Sequence, residues 1–239
     1  MKFENTAVFN LEGALRSMRN PLNSWAKSDS HYCLPNECVT CKYCDYQDAQ
    51  NDPYHWEACA ENTDWQPYRI GENDIDLAQR LIKGGPVHAK FMRAIGTNVD
   101  ITAPTFWIHE LDTYKVGTVR NSCSFMHKGT SKPFELSDFE LCTENNSDIA
   151  TWNTMLNLLN DKRDEYLKSK DKKSFEQLRS MLPMGYNYKF TWTANYEVLR
   201  NIYHWRKTHR LSQWQEFCSW IETLPYAKEL ILFNNTPET

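Results

Sequence analysis

The sequence predicts an α/β fold in which a mixed sheet is packed with helices, with more helix than strand. Apolar residues recur at helical spacing in several segments, including residues 10–19 and 147–166. Runs of β-branched and aromatic residues at 94–109 and ahead of Asn195 predict strands that lead into helices. With 239 residues, 41% apolar and 13% aromatic, the chain is long enough to bury a substantial core. We expect a single domain over residues 1–239.

The first third combines two helices with an irregular stretch. Residues 10–19 predict a short amphipathic helix that ends at the following Asn-Pro pair, because proline disfavours helix in the residue before it. Residues from about 30 to 66 are rich in Cys, Asp, Asn and aromatics without a period, which predicts an insertion. Asn73 or Asp74 is expected to cap a second helix, which closes at a Gly-Gly pair.

The middle of the chain predicts a strand followed by several helices. Residues 94–109 indicate a strand that passes into an apolar helix after Pro104. Ser137 and Glu140 have the spacing of a capping box for a short helix. Ser147 is expected to open a longer helix, whose lysine-rich end LKSKDKK we interpret as a solvated terminus that complements the helix dipole.

The segment from Arg179 to Gln215 is the most informative part of the chain. Helix is predicted up to a Leu-Pro turn, followed by an aromatic strand and a helix that opens at Asn195. Asn195, Leu199, Ile202 and Arg206 recur at intervals of four, three and four, so they share one face. Asn201 sits beside that face, and residues 212–224 predict the last clear helix.

Arginine and asparagine in this arrangement indicate a nucleotide site. The planar fork of a guanidinium matches phosphate oxygens, and Arg179 and Arg206 flank the segment. Asparagine amides hydrogen-bond the carbonyl and imide edges of a flat heteroaromatic ring, as Asn195 and Asn201 would. The pattern predicts that phosphate and ring are bound beside the edge of a sheet.

The same segment resembles the C-terminal half of the flavin-dependent thymidylate synthases. In that family an arginine precedes a leucine-proline turn, an aromatic-Trp-Thr-x-Asn strand end follows, and a second Asn, an Arg and a Gln-Trp lie downstream. The matching positions, ungapped from Arg179 to Arg206, are Arg179, Leu182, Pro183, Trp192, Thr193, Asn195, Asn201, Arg206, Gln213 or Gln215, and Trp214.

The resemblance implies a ThyX-like fold, a flavin and a pyrimidine nucleotide. By it, Arg179 and Arg206 would bind dUMP, whereas Asn195, Asn201 and His88 would contact FAD. His88 in GGPVHAKF falls where the family carries a histidine ahead of its first central strand. The implied reaction is reductive methylation of dUMP with methylenetetrahydrofolate and NADPH as co-substrates. Family members are homotetramers whose sites are built from several subunits, so a homotetramer is expected.

The best-known signature of the family is largely replaced in this chain. That signature reads Arg-His-Arg, two residues, Ser, one residue, Asn-Glu, one residue, Ser, one residue, Arg. The aligned residues are Thr113, Tyr114, Lys115, Thr118, Arg120, Asn121, Cys123 and Phe125. Only Lys115 and Thr118 are chemically similar to their counterparts. We expect packing or hydrogen bonding from Cys123, because the family mechanism uses no side-chain nucleophile.

The altered segment still predicts an anion site and leaves three functions open. Hydroxyl, thiol and basic side chains of this loop are the candidate dUMP ligands, namely Lys115, Thr118, Arg120, Cys123 and Ser124. The first function is a divergent thymidylate synthase. The second is transfer of a different one-carbon unit to a pyrimidine nucleotide. The third is a non-catalytic module that binds nucleotides or another protein on the same fold.

A cysteine cluster in the predicted insertion indicates a metal site. Its members follow the pattern C-x4-C-x2-C-x2-C with one more distant cysteine, and are Cys33, Cys38, Cys41, Cys44 and Cys59. A C-x2-C turn brings two thiolates to one metal, which suits tetrahedral zinc or an iron–sulfur cluster. Zinc is favoured as a structural staple, and a set of free thiols is the alternative.

Charge and hydropathy exclude two classes of partner. Twenty-seven basic and 31 acidic residues give a net charge of −4, which provides no electrostatic footprint for duplex nucleic acid. No apolar run approaches the roughly 20 residues of a membrane span. The first ten residues, MKFENTAVFN, lack the apolar core of a signal peptide. The sequence therefore predicts a cytoplasmic protein without a membrane anchor.

Overall fold

A computed structural model describes residues 1–32, 68–141 and 145–234. The chain forms two compact units. Unit 1 comprises the described residues within 1–7, 98–193 and 210–216, and unit 2 comprises those within 8–97, 194–209 and 217–239.

Both units combine helices with strands. The strands are β1 (Lys2–Phe9), β2 (His31–Tyr32), β3 (Tyr68–Arg69), β4 (Gly96–Pro104), β5 (Val119–Ser122) and β6 (Asn187–Asn195). The α-helices are α1 (Leu11–Met18), α2 (Glu72–Lys83), α3 (Thr105–Leu111), α4 (Phe125–Lys128), α5 (Asn146–Ser169), α6 (Lys172–Met181), α7 (Tyr196–Arg206) and α8 (Ser212–Glu222). The predicted combination of a sheet with a larger share of helix is confirmed for the described residues.

A four-stranded sheet with the order β1-β4-β6-β5 provides the frame of unit 1. At its edge, β5 pairs antiparallel with β6, with Val119 opposite Thr193 and Ser122 opposite Phe190. The predicted strand and apolar helix at 94–109 are confirmed, since β4 ends at Pro104 and α3 follows directly. This order places the residues after β5 beside the start of β6.

Aromatic side chains fill the core of unit 1. Trp107 and Trp214 are fully buried with ring centroids 5.0 Å apart, and Trp214 Nε1 donates a hydrogen bond to Glu110 at 2.8 Å. Rings of this size bury about 150–250 Å² each and dominate core energetics. A second cluster packs α5 and α6 against the segment after β5 and contains Phe125, Phe134, Phe139, Leu156, Leu159 and Leu178.

A buried ion pair joins the helices of unit 2. Arg19, at the end of α1, donates to Asp74 Oδ1 at 2.6 Å, and both side chains are almost completely buried. Ser28 and Ser30 donate to the other oxygen of the same carboxylate. The Asp74 carboxylate accepts all three of these hydrogen bonds, so it connects α1, α2 and the segment at 28–30.

The cap of α2 differs from the prediction. Neither Asn73 nor Asp74 caps this helix, because it begins at Glu72 after Gly71, which has no side chain to offer. The carboxylate of Asp29 accepts instead from the backbone N–H groups of Asn73 and Asp74, at 2.9 and 3.2 Å. A distant residue thus does the capping, which frees Asp74 for its ion pair.

Two other helix starts are corrected. The capping box consists of Glu135 and Asp138 rather than Ser137 and Glu140, and it opens a short 3-10 helix. Asn145 caps α5, with its side chain accepting from the Ser147 N–H at 3.0 Å.

The lysine-rich segment LKSKDKK is not one solvated helix end. The helix α5 ends at Ser169, and Lys170 has a left-handed backbone with φ of 55°. The Asp171 side chain then caps α6 by accepting from the Ser174 N–H at 2.9 Å. The segment therefore contains a helix end, a turn and a new helix start.

Several elements were not predicted, and three of them matter for the description of the two units. One is β1, and another is β5, which lies inside the segment interpreted as a loop. The third is a π-helix at Ala227–Ile231, near whose end Arg200 donates to the carbonyl oxygen of Ile231 at 2.8 Å. Burial lowers the pKa of Arg200, which serves as a structural bridge inside unit 2.

The predicted insertion falls mostly on residues 33–67, outside the residues that the structure describes, and the expectation of a single domain stays a prediction. Within the described ranges no helix combines the length and the apolar character needed to cross a membrane.

We expect Asp74→Ala to lower the free energy of unfolding by about 3–5 kcal/mol, because it leaves the Arg19 guanidinium buried without a counter-charge. Asp76→Ala is the matched control, since Asp76 is 67% exposed and pairs with Arg80 on the surface of the same helix. Its cost is expected to be about 0–1 kcal/mol. Chemical denaturation measures both, and equal small losses would contradict the role given to Asp74.

Candidate functional site

A cavity of about 180 Å³ in unit 1 is the candidate nucleotide site. It opens where β5 gives way to α4 beside the start of β6. The lining side chains include thiol, hydroxyl, aromatic and basic groups, from Cys123, Ser124, Phe125, Lys128, Tyr188 and Lys189. Two of the sequence-predicted residues, Cys123 and Ser124, therefore lie on its wall.

Backbone hydrogen bonds fix the position of this wall. The antiparallel pairing of β5 with β6 continues past Ser122, since the Cys123 N–H donates to the Lys189 carbonyl at 2.9 Å. Ser124 then ends the extended segment, and its carbonyl accepts from the Lys128 N–H at 3.0 Å. The turn of α4 thus brings Lys128 to the cavity.

Arg179 lies against two of the lining residues. It is in the last turn of α6, and its guanidinium is 4.7 Å from the ring centroid of Phe125 and 5.5 Å from that of Tyr188. Arg179 Nη1 also donates a hydrogen bond to the Tyr188 hydroxyl. Its side chain is exposed and forms no ion pair with a carboxylate of the described residues.

One of the two lysines that line the cavity has an acidic partner, and the other has none among the described residues. Lys189 Nζ lies 3.0 Å from a Glu4 carboxylate oxygen, and this hydrogen bond raises the pKa of Lys189. Lys128 is exposed and has no acidic partner in the described part of the chain. Lys128 and Arg179 are therefore the cations near this cavity that remain available to an anion.

Two neutral polar groups complete the cavity. Burial raises the pKa of Tyr186 to about 12, so its phenol stays protonated at neutral pH. Asn187 Oδ1 is buried and finds no hydrogen-bond partner among the described residues. An unpaired buried acceptor is costly, and a ligand donor would remove that cost.

The other predicted residues of the altered signature do not line this cavity. Arg120 forms an ion pair with Asp112 at 3.0 Å, so its charge is already compensated. Thr118 Oγ1 donates to the Tyr114 carbonyl at 2.7 Å. Lys115 is exposed in the turn ahead of β5.

In unit 2, His88 lies in the turn that follows α2. Gly85 has a φ of +88°, which L side chains rarely adopt, and its carbonyl accepts from the His88 N–H at 2.9 Å. The imidazole packs so closely on Gly84 that an added Cβ there would be 3.0 Å from His88 Cδ2. His88 is exposed, so its ring is accessible to a ligand.

The remaining candidates lie along α7, whose predicted start is confirmed. Asn195 caps the helix, and its Oδ1 accepts from the Val198 N–H at 3.1 Å, which leaves its Nδ2 as the group for a ligand. Asn201 is exposed, and Arg206 is half-buried in the last turn. At 1.5 Å per residue, Asn195 and Arg206 lie roughly 16 Å apart along the axis.

The face of α7 that Asn195, Leu199, Ile202 and Arg206 share is not one continuous binding surface. Leu199 and Ile202, at its centre, are fully buried core residues. Asn195 and Arg206 stand at the two ends of the helix, so they do not surround one flat ring. Together they suit an elongated ligand or two different ligands.

The predicted metal ligands Cys33, Cys38, Cys41, Cys44 and Cys59 lie outside the described residues. Among the residues that are described, no group of three or more His, Cys, Asp or Glu side chains is arranged to hold a metal ion.

Sequence reasoning missed Lys128, Tyr188 and the role of Phe125. A signal for Tyr188 was present, because aromatic residues alternate along the strand at Tyr186, Tyr188, Phe190 and Trp192. That period of two places Tyr188 on the same face as the buried Phe190. Nothing in the local sequence indicates that Phe125 lies beneath Arg179.

The fold is similar to that of solved flavin-dependent enzymes. One is the flavin-dependent thymidylate synthase ThyX from Helicobacter pylori complexed with FAD and dUMP, with a TM-score of 0.63 and 15% identity over 97% of this chain and 98% of that chain. A second structure of ThyX from Helicobacter pylori with FAD and dUMP gives 0.63, 14% identity and 97% of both chains.

A third similar structure is the UMP/dUMP methylase PolB from Streptomyces cacaoi bound with 5-Br UMP. Its TM-score is 0.50 at 13% identity, over 75% of this chain and 88% of that chain. No protein-family model matches the sequence, and no curated protein does. The predicted ThyX-like fold is confirmed by these structural similarities.

The two described cysteines are expected to differ in reactivity. Cys123 is exposed, whereas burial raises the pKa of Cys218 to about 11, which leaves about one thiol in a thousand ionised at pH 8. Iodoacetamide should therefore alkylate Cys123 in the native protein and Cys218 only after unfolding. Peptide mass spectrometry measures both, with guanidinium-unfolded chain as the control. Equal native rates would show that Cys123 is not on an open surface.

Proposed function

We propose that this protein is a flavin-dependent enzyme that modifies a uracil nucleotide, and most simply a divergent thymidylate synthase that methylates dUMP. The observation that carries the proposal is the cavity beside β6, where Arg179 and Lys128 present positive charge and have no acidic partner among the described residues. Similar folds with FAD and dUMP, or with a bromouridine nucleotide, support the choice of ligand.

The phosphate of the nucleotide is the group that suits this cavity best. Guanidinium and ammonium groups bind phosphate oxygens through charge-assisted hydrogen bonds, and Arg179 and Lys128 provide them. The Ser124 hydroxyl and the Cys123 thiol add weaker hydrogen-bonding groups. These residues bind and orient the substrate, and we assign no covalent role to Cys123.

The cavity takes only part of a nucleotide. Its volume of about 180 Å³ is below the roughly 300 Å³ at which ligand pockets usually begin. The base and the ribose therefore need a further surface. We propose that another subunit of a homotetramer provides it, as the family resemblance implies.

Residues of unit 2 fit a bound flavin. His88 and Asn201 are exposed, and Asn195 Nδ2 has no hydrogen-bond partner in the described part of the chain. Amide and imidazole groups match the carbonyl and nitrogen edges of a flavin ring. Asn195 and Asn201 lie roughly 9 Å apart along the axis of α7, so both can contact one dinucleotide such as FAD. When bound, FAD would supply the hydride chemistry.

Arg206 is proposed as a second nucleotide ligand. Near a uracil carbonyl, an arginine would stabilise the enolate-like charge that develops during ring chemistry. Methylenetetrahydrofolate as the carbon donor and NADPH as the reductant complete the proposed reaction.

A different one-carbon product is the second candidate function. The replaced signature residues around β5 favour it. Mass analysis of the nucleotide after incubation with FAD, NADPH and methylenetetrahydrofolate separates the two, since only thymidylate synthesis yields dTMP. A third possibility, a non-catalytic binding module, predicts no nucleotide product at all.

We expect Arg179→Ala to weaken dUMP binding by about 10- to 150-fold, the worth of a charge-assisted hydrogen bond. Arg80→Ala is the control, because Arg80 is exposed and already paired with Asp76 on α2. Calorimetric titration of dUMP into protein reconstituted with FAD measures both variants, and the Arg80 variant should bind like the wild type.

Two outcomes of the same titration would contradict the proposal. A wild-type protein that binds neither FAD nor dUMP rules out both enzymatic functions. Binding of dUMP that is unchanged in Arg179→Ala would place the nucleotide elsewhere on the molecule.

A further inference from the structure

Arg179 is held by aromatic side chains. Long arginine side chains are flexible, and fixing one before a ligand arrives reduces the entropy lost on binding. Here the guanidinium lies over the Phe125 ring and donates to the Tyr188 hydroxyl. Phe125 and Tyr188 therefore form an aromatic clamp around Arg179.

The clamp is itself rigid. Phe125 is almost buried and packs against Phe134 and Tyr186, with ring centroids at 6.5 and 5.8 Å. Tyr188 is fixed by the backbone of β6, and its ring meets that of Tyr186 edge-on at 5.0 Å. Both supports therefore belong to a packed core rather than to a mobile surface.

The clamp leaves the charge and most donors of Arg179 free. A guanidinium carries five N–H donors, and the described contacts use one of them on a neutral hydroxyl. The charge of Arg120, by contrast, is neutralised by an ion pair with Asp112. A guanidinium that aromatic rings hold in place, and whose charge no carboxylate of the described residues neutralises, can bind an anionic ligand without first being reoriented.

We propose that Phe125 and Tyr188 are positioning residues that orient Arg179 toward the phosphate of the nucleotide. This inference rests on the proposed function. Phe125 stands where the resembled family carries the last arginine of its signature. In this chain a phenylalanine replaces that arginine, and its ring packs against the guanidinium of Arg179. Lys128 provides the other positive charge at the cavity.

Tyr188→Phe tests the clamp, because it removes the hydroxyl and keeps the ring. We expect dUMP binding to weaken by about 5- to 10-fold, as for the loss of one hydrogen bond, while deoxyuridine, which lacks the phosphate, binds as it does to the wild type. Tyr166→Phe is the matched control, since the Tyr166 ring packs on Phe175 with centroids 5.2 Å apart, does not line the cavity and makes no described contact with Arg179. It should leave dUMP affinity within about twofold.

A second measurement needs no ligand. Phenylglyoxal modifies accessible arginines, and peptide mass spectrometry gives the rate at Arg179. The rate should rise several-fold in Tyr188→Phe and stay unchanged in Tyr166→Phe. A role of Tyr188 in packing alone would leave it unchanged in both variants.

The outcomes separate the clamp from the function on which it rests. If the wild type binds dUMP and Tyr188→Phe binds it equally well, the clamp is wrong and the proposed function stands. If the wild type binds neither dUMP nor FAD, both are overturned. Equal weakening of dUMP and deoxyuridine would overturn the assignment to the phosphate.

Discussion

The antiparallel pairing of β5 with β6 determines where every part of the candidate site in unit 1 lies. Four register pairs and the added hydrogen bond from the Cys123 N–H to the Lys189 carbonyl hold the two segments together. A slip of one residue would turn each β5 side chain to the opposite face. Cys123 would then leave the cavity wall, and Phe125 would leave the place beneath Arg179. The nucleotide site proposed here thus depends on the register of one short edge strand.

The distribution of charge in unit 1 determines which kind of ligand the cavity favours. Two basic residues near the sheet are neutralised, since Arg120 pairs with Asp112 and Lys189 pairs with Glu4. Arg179 instead contacts two aromatic rings and a neutral hydroxyl. Uncompensated positive charge beside a cavity favours anions, and it would allow a protein with a net charge of −4 to bind the nucleotide proposed here.

Local signals in the sequence predicted part of this architecture. The strand that ends at Pro104 and the helix capped by Asn195 follow from β-branched runs and capping chemistry within a few residues. Contacts between distant segments could not be predicted. Asp29 caps α2 from far upstream, and Phe125 meets Arg179 only through tertiary packing. The strand β5 was missed because its four residues are all exposed and show no apolar alternation.

The central claim is that the nucleotide binds at the cavity lined by Cys123, Lys128 and Tyr188. Its most direct test is a crystal structure with FAD and 5-bromo-dUMP, in which anomalous scattering from bromine locates the base and difference density locates the phosphate. We predict phosphate density within hydrogen-bond distance of the Arg179 guanidinium and the Lys128 ammonium. Phosphate density at another surface, with Arg179 still resting on Phe125 and contacting no ligand, would contradict the account.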